Sequence, residues 1–155
     1  MNAELQRLYQ DLILEHNRYP RNYGRIENPT HEGEGHNPLC GDRIFITLRV
    51  QESRIQDIKF EGESCAICKA SSSIMTTLVK GAPLEEVDKL FLAFHELLTQ
   101  EAVCHIHGLP AASQEKLRIF ATVRHFPIRV KCATLPWHTL KAVLNDPIRK
   151  VVSTE

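Results

Sequence analysis

Three cysteines occur where the sequence changes from one structural pattern to another. Cys40 stands in PLCGD, two residues before Asp42, and Gly41 between them permits a tight backbone path. A thiolate and a carboxylate in such a pair can bind one metal ion. Cys65 begins a helical pattern, where unpaired amides and the helix dipole lower the pKa of a thiol. Cys132, in RVKCATLPW, falls in or just before the first turn of a helix, unless the proline four residues later removes the amide that would bond its carbonyl.

Together, Cys40, Asp42, Cys65 and Cys132 offer three sulfur ligands and one oxygen ligand. Zinc binds ligands of these types in tetrahedral geometry. Four anionic ligands leave a formal charge of about −2, which is costly in a low-dielectric site, and the adjacent Lys131 can balance it. Taken singly, each cysteine is more often a small buried hydrophobic residue. The set as a whole predicts a zinc site with Lys131 as its charge-balancing neighbour.

Other residues that could carry chemistry have a simpler interpretation. Cys65 and Cys68 form a C-x-x-C pair, but the strand–helix–strand pattern typical of thioredoxin-like redox proteins is missing around them. Four histidines and the remaining cysteine could bind a metal ion, but we expect solvated or interhelical loops instead. These residues are His31, His36, Cys104, His105 and His107.

Composition limits the class of protein. The 155 residues are 43% hydrophobic and 25% charged, which is typical of a globular chain, and we expect one domain over 1–155. Nineteen basic residues balance nineteen acidic ones, so the basic excess of a nucleic-acid-binding protein is missing. No segment reaches the roughly 18 apolar residues of a membrane helix, and no signal peptide is evident. We therefore expect a cytoplasmic protein whose five cysteines are reduced thiols or metal ligands.

Periodicity indicates which elements carry these residues. RIFITLRV and RIQDIKF alternate apolar and polar residues, which predicts a β-hairpin with one buried face. The Gly- and Pro-rich segment before Cys40 is predicted to be irregular, with one short strand. Spacings of three and four residues predict helices elsewhere, and the resulting class is α+β. The predicted helices span 3–16, 65–81, 82–98, 113–123 (opening at Ser113) and 135–143.

Three motifs resemble the SufU branch of the NifU/IscU family of iron–sulfur assembly proteins: NPLCGD, CAICKASSS and RVKCATLPW. The resemblance extends over nearly the whole chain. It implies a SufE/NifU-like α+β fold, in which a small three-stranded antiparallel sheet packs with about five helices. It also implies one metal or cluster site formed by Cys40, Asp42, Cys65 and Cys132. Lys131 stands where IscU-type scaffolds carry a histidine, which favours the SufU branch.

The resemblance implies two alternative functions. In the first, the protein binds zinc and Cys40 accepts persulfide sulfur from a SufS-type, pyridoxal-phosphate cysteine desulfurase, then passes it to a downstream cluster scaffold or acceptor protein. In the second, the protein is an IscU-like scaffold that binds iron and assembles a [2Fe–2S] cluster on Cys40, Cys65 and Cys132. A purely structural zinc domain is disfavoured because closed structural sites use Cys and His rather than a carboxylate such as Asp42. Whether the protein is a sulfurtransferase-like acceptor or a non-enzymatic scaffold stays open at this point.

The sequence departs from the family pattern at three positions. Ser64 stands where glycine is usual, Cys68 where serine is usual, and Pro136 where alanine is usual. Cys68 is the departure that could change the chemistry, because it lies three residues after Cys65 on the same side of a helix. It could bind the metal, resolve a persulfide or pack in the core, and we expect packing.

Overall fold

Helices and a small sheet make up the described part of this computed structural model, which comprises residues 2–100, 108–146 and 150–153. The strands are β1 (His31–Asn37), β2 (Asp42–Gln51), β3 (Arg54–Glu63) and β4 (Lys150–Ser153). The α-helices are α1 (Ala3–Arg18), α2 (Ala66–Val79), α3 (Leu84–Thr99), α4 (Ala111–Arg118) and α5 (Pro127–Asn145), with a 3-10 helix at Ala121–His125. None of these helices is both long and apolar enough to cross a bilayer.

The sheet has the strand order β3-β2-β1-β4. Strands β1, β2 and β3 are antiparallel neighbours, which confirms the predicted three-stranded antiparallel sheet. Glu52 and Ser53 connect β2 to β3, and both have positive φ, as in the type I′ turns that match the twist of a tight hairpin. The short β4 pairs in parallel with β1, and the sequence did not indicate this fourth strand.

The core lies between the sheet and the helices α2 and α5. Ile44, Ile46 and Leu48 alternate along β2 and are fully buried, as their spacing predicted. Helices α2 and α5 pack closely, and Ser71 on α2 donates a hydrogen bond to the Ala133 carbonyl of α5 at 2.6 Å. The site region of α5 is thereby held against the first turns of α2.

The last helix differs from its prediction. It begins at Pro127 rather than near 135, so Cys132 lies in its second turn rather than at or before its first turn. Proline suits the first helical position because its fixed φ is helical and no amide is needed there. Pro136, which suggested a helix start, lies inside the helix and removes the amide that would bond the Cys132 carbonyl. Of the two alternatives that the sequence left open for Cys132, the one in which Pro136 removes the hydrogen-bond donor to its carbonyl is therefore correct.

Smaller differences affect three other elements. Helix α4 begins at Ala111, so Ser113 lies in its first turn and does not cap it. The predicted helix over 113–123 is two elements, since α4 ends at Arg118 and a 3-10 helix follows. His31 and His36 lie on β1 rather than in a solvated loop.

Strand β1 approaches α5 closely at Gly35. A Cβ atom added there would overlap Thr139 Oγ1 and lie 3.1 Å from Leu135 Cδ1, both on α5. Only a glycine lets the strand approach the helix this closely without displacing a side chain. The contact holds the end of β1, and the turn that follows it, beside the second turn of α5.

We predict that Gly35→Ala destabilises the protein. The added methyl group overpacks the contact with Thr139, so the free energy of unfolding should fall by about 1–3 kcal/mol. Gly108→Ala is the matched control, since a Cβ atom there meets nothing within 4 Å, and its effect should stay within about 0.5 kcal/mol. Urea unfolding followed by circular dichroism measures both, and equal midpoints for the two variants would contradict the packing described.

Candidate metal centre

Cys40 and Asp42 are positioned by the turn between β1 and β2. Asn37 ends β1 and pairs with Asp42, the first residue of β2. The Cys40 amide donates to the Asn37 carbonyl at 3.3 Å, which closes the turn. Gly41 has a φ of +71°, a left-handed conformation that favours glycine. The turn therefore leaves Cys40 half-buried near its tip, whereas Asp42 lies within the sheet and is fully buried.

The Asp42 carboxylate links the sheet to helix α2. Its Oδ1 atom accepts a hydrogen bond from the Cys65 backbone amide at 2.7 Å. Its Oδ2 atom lies 3.4 Å from Asn37 Nδ2 and 3.9 Å from Cys65 Sγ. One oxygen is thus occupied by the backbone, and the other faces the thiols.

Cys65 caps the N-terminus of α2. Its sulfur accepts a hydrogen bond from the Cys68 amide at 3.4 Å. The pKa of Cys65 is lowered to about 7, chiefly by a hydrogen bond from the Cys132 thiol, with the Cys68 and Ile67 amides adding to the effect. Burial and the Asp42 carboxylate oppose this shift. The lowered pKa agrees with the expectation for a helix start, although a neighbouring thiol contributes most of it.

Cys132 brings the third sulfur to the site from α5. It is fully buried, and its Sγ atom lies 3.0 Å from Cys40 Sγ. The hydrogen bond to Cys65, together with burial, raises the pKa of Cys132 well above its usual value. A metal ion bound by these sulfurs would displace the thiol protons, so metal binding at this site would release protons.

The structure groups three of the four predicted residues and places the fourth, Cys65, beside them. The Cys40 and Cys132 sulfurs and an Asp42 oxygen all lie within 4.8 Å of one another, and Cys65 adjoins them through Asp42. A buried carboxylate among thiolates is costly unless a cation neutralises it. Three sulfurs and one oxygen suit tetrahedral zinc, and thiolates also suit iron–sulfur clusters. The donor set therefore fits either group, and metal binding by these residues stays a prediction.

The remaining candidates differ in their surroundings. Lys131 precedes Cys132 on α5 and is half-buried, and its charge-balancing role stays a prediction. Cys68 is fully buried in the hydrophobic core, and this burial raises the pKa of its thiol well above the usual value. Both observations favour packing rather than chemistry for Cys68. A further group, which could have formed a second site, falls outside the described residues: Cys104, His105 and His107.

Asn37 belongs to the site, although the sequence did not single it out. Its amide nitrogen lies within hydrogen-bonding distance of both Asp42 Oδ2 and Cys132 Sγ. A polar residue at the start of NPLCGD is a weak signal, since such residues are common before turns. Its contact with a helix 95 residues later in the chain depends on the fold.

Comparison with known proteins identifies the family. Residues 8–133 match the NifU-like N terminal domain. The chain belongs to this family. It is 36% identical over 140 residues to the zinc-dependent sulfurtransferase SufU of Bacillus subtilis, a match that covers 90% of this chain and 91% of that protein. It is 34% identical over 146 residues to the iron–sulfur cluster assembly scaffold protein IscU of Streptococcus pyogenes, which covers 92% and 86% of the two chains.

Solved structures of NifU-like proteins share the fold. An iron–sulfur cluster assembly scaffold protein for the SUF system from Fervidobacterium islandicum superposes with a TM-score of 0.76 at 28% identity, over 92% of this chain and 99% of that one. A NifU-like N-terminal domain from Brucella abortus superposes with a TM-score of 0.79 at 22% identity, over 92% and 96% of the two chains. The second match concerns the fold alone. The predicted NifU-like α+β fold is confirmed.

We predict that Cys65 is required for metal binding and that Cys68 is not. Cys65→Ser removes a thiolate ligand, so zinc affinity should fall by more than about 100-fold, beyond the usual cost of losing an outer-shell contact. Cys68→Ser changes a fully buried core residue that is not one of the proposed ligands, so zinc affinity should stay within about threefold of wild type. Competition against a zinc chelator measures both variants. Equal loss of zinc from the two variants would refute the ligand assignment.

Proposed function

We propose that this protein is a zinc-bound sulfur acceptor in iron–sulfur cluster assembly. Cys40, Asp42, Cys65 and Cys132 are the proposed ligands, and Cys40 is the residue that accepts persulfide sulfur from a SufS-type cysteine desulfurase. The similarity to a relative named as a zinc-dependent sulfurtransferase supports this proposal over 90% of the chain.

The main support for the proposal is that the three cysteines lie in different structural environments. Cys132 is fully buried in the second turn of α5, and Cys65 is half-buried but caps α2. Cys40 lies in a four-residue connection between two strands and is half-buried. A connecting loop moves at lower cost than a helix packed in the core. Cys40 is therefore the sulfur that can meet a partner while the others keep their places.

The sulfur-transfer step requires no external oxidant or reductant. The Cys40 thiolate attacks the terminal sulfur of the desulfurase persulfide, a new S–S bond forms on Cys40, and the partner cysteine leaves as a thiolate. Bound zinc would keep the site thiols deprotonated at neutral pH and restrain their nucleophilicity. Asp42, Cys65 and Cys132 retain their positions in the sheet and helices while the turn that carries Cys40 moves. The sulfur then passes to a cluster scaffold or another acceptor protein.

The proposed setting is the cytoplasm, where thiols remain reduced. The four cysteines within the described residues are all free, which agrees with this setting. No nucleic acid enters the proposed reaction, whose partners are the desulfurase and the protein that receives the sulfur.

A cluster scaffold is the second candidate function. Similarity to proteins named as IscU scaffolds favours it, at 34% identity over 92% of this chain for the Streptococcus pyogenes protein. Cys40, Cys65 and Cys132 with the Asp42 carboxylate could bind a [2Fe–2S] cluster. Lys131 stands where the IscU-type pattern has a histidine, and this difference makes the acceptor function the first choice.

We predict that incubation with a SufS-type desulfurase and free cysteine adds one sulfur atom to Cys40. Peptide mass spectrometry under non-reducing conditions should find a mass increase of about 32 Da on the peptide that carries Cys40, because its thiolate lies in the connecting turn rather than at a helix. Cys40→Ala should abolish stimulation of the desulfurase, whereas Cys68→Ala, a matched change at a buried cysteine, should retain it. Sulfur found mainly on Cys65 or Cys132, or full stimulation by Cys40→Ala, would overturn the assignment.

A further inference from the structure

Asn37 contacts three parts of the site at once. Its side chain is fully buried at the end of β1. Its Nδ2 atom lies 3.4 Å from Asp42 Oδ2 and 3.5 Å from Cys132 Sγ. Its Oδ1 atom accepts a hydrogen bond from the Leu39 amide at 3.3 Å, within the turn that carries Cys40. One side chain thus joins the turn and the start of β2 to a helix residue 95 positions later in the chain.

The hydrogen-bonding capacity of an amide matches these three neighbours. The Asn37 side chain has two N–H donors and one carbonyl acceptor. A carboxylate and a thiolate are acceptors when ionised, so both donors are used, and the acceptor serves the backbone of the turn. An amide also adds no charge to a site whose proposed ligands are already anionic. A lysine would compete with a metal ion, and an aspartate would add repulsion.

We infer that Asn37 is a positioning residue that orients Asp42 and Cys132 as metal ligands and shapes the turn that carries Cys40. This inference rests on the metal site of the proposed function. The Asp42 carboxylate is restrained on both oxygens, by the Cys65 amide on Oδ1 and by Asn37 on Oδ2. Cys132 Sγ is restrained by the same Asn37 amide. Loss of such outer-shell partners typically lowers metal affinity by 10–100-fold.

The hydrogen bond from the Leu39 amide to Asn37 can be tested separately from the contacts of Asn37 with the ligands. Side-chain oxygens of Asn, and more weakly of Ser, accept hydrogen bonds from the backbone two residues on. Asn37→Ser therefore retains an acceptor for the Leu39 amide but removes both N–H donors to the ligands. Asn37→Leu is similar in size and removes donors and acceptor together. A loss of zinc affinity in Asn37→Ser therefore reports the orientation of the ligands, and any further loss in Asn37→Leu reports the contact with the turn.

The test compares these variants with Thr139→Val. Thr139 is also fully buried and hydrogen-bonded, to the Leu135 carbonyl at 2.7 Å, and lies on α5 beside β1. The control therefore removes a buried hydrogen bond near the site without changing a contact to a ligand. Chelator competition measures zinc affinity, and visible spectra of the Co²⁺-loaded proteins report ligand geometry through the thiolate-to-cobalt and d–d bands.

We expect Asn37→Ser and Asn37→Leu each to lower zinc affinity by about 10–100-fold and to shift the Co²⁺ bands. Thr139→Val should lower stability in urea but leave the affinity and the bands as in wild type. If Asn37→Leu fails to fold, Asn37→Ser decides the question, because it removes fewer contacts. Zinc affinity within about threefold of wild type and unchanged Co²⁺ bands in the folded variants would overturn the inference about Asn37. A wild-type protein that bound neither ion at the four ligands would instead overturn the proposed metal site, and the inference with it.

Discussion

The site depends on the hydrogen bonds that the buried Asp42 carboxylate accepts. Its Oδ1 atom accepts the Cys65 amide at 2.7 Å, which joins the start of β2 to the start of α2. Its Oδ2 atom lies near two donors, the side-chain amide of Asn37 at the end of β1 and the thiol of Cys65 at the N-terminus of α2. A fully buried carboxylate is tolerated only with such partners or with a cation. The sheet, the helix and the ligand set are therefore coupled through one side chain.

This coupling explains why the sulfurs are not equivalent. Cys65 lies at the N-terminus of α2, and Cys132 lies in the second turn of α5. Helix α5 also packs against β1. Cys40 belongs to the turn and is half-buried, and its Sγ atom lies 3.0 Å from Cys132 Sγ. In the proposed function, two thiols and the carboxylate retain the ion while the thiol in the turn acts as the nucleophile.

Local patterns in the sequence predicted much of the fold, and contacts between distant segments explain the rest. The hairpin and α2 followed from alternation and helical spacing, because both depend on near neighbours. The start of α5 was predicted eight residues too late because Pro136 resembles a helix start, although tertiary packing tolerates it inside the helix. The proposed ligand set, which stays a prediction, followed from the cysteine positions and motifs. The contacts of Asn37 could not be predicted in this way, since they require the pairing of β1 with β2 and the approach of α5.

The central claim is that these residues bind zinc and serve sulfur transfer rather than cluster assembly. The metal content, acid-labile sulfide and visible absorption of protein purified without oxygen test it most directly. The account predicts a colourless protein with one equivalent of zinc, no sulfide, and loss of that zinc when Asp42 is replaced by alanine. A brown protein with iron and sulfide in equal amounts, bound through Cys40, Cys65 and Cys132, would contradict it and establish the scaffold function instead.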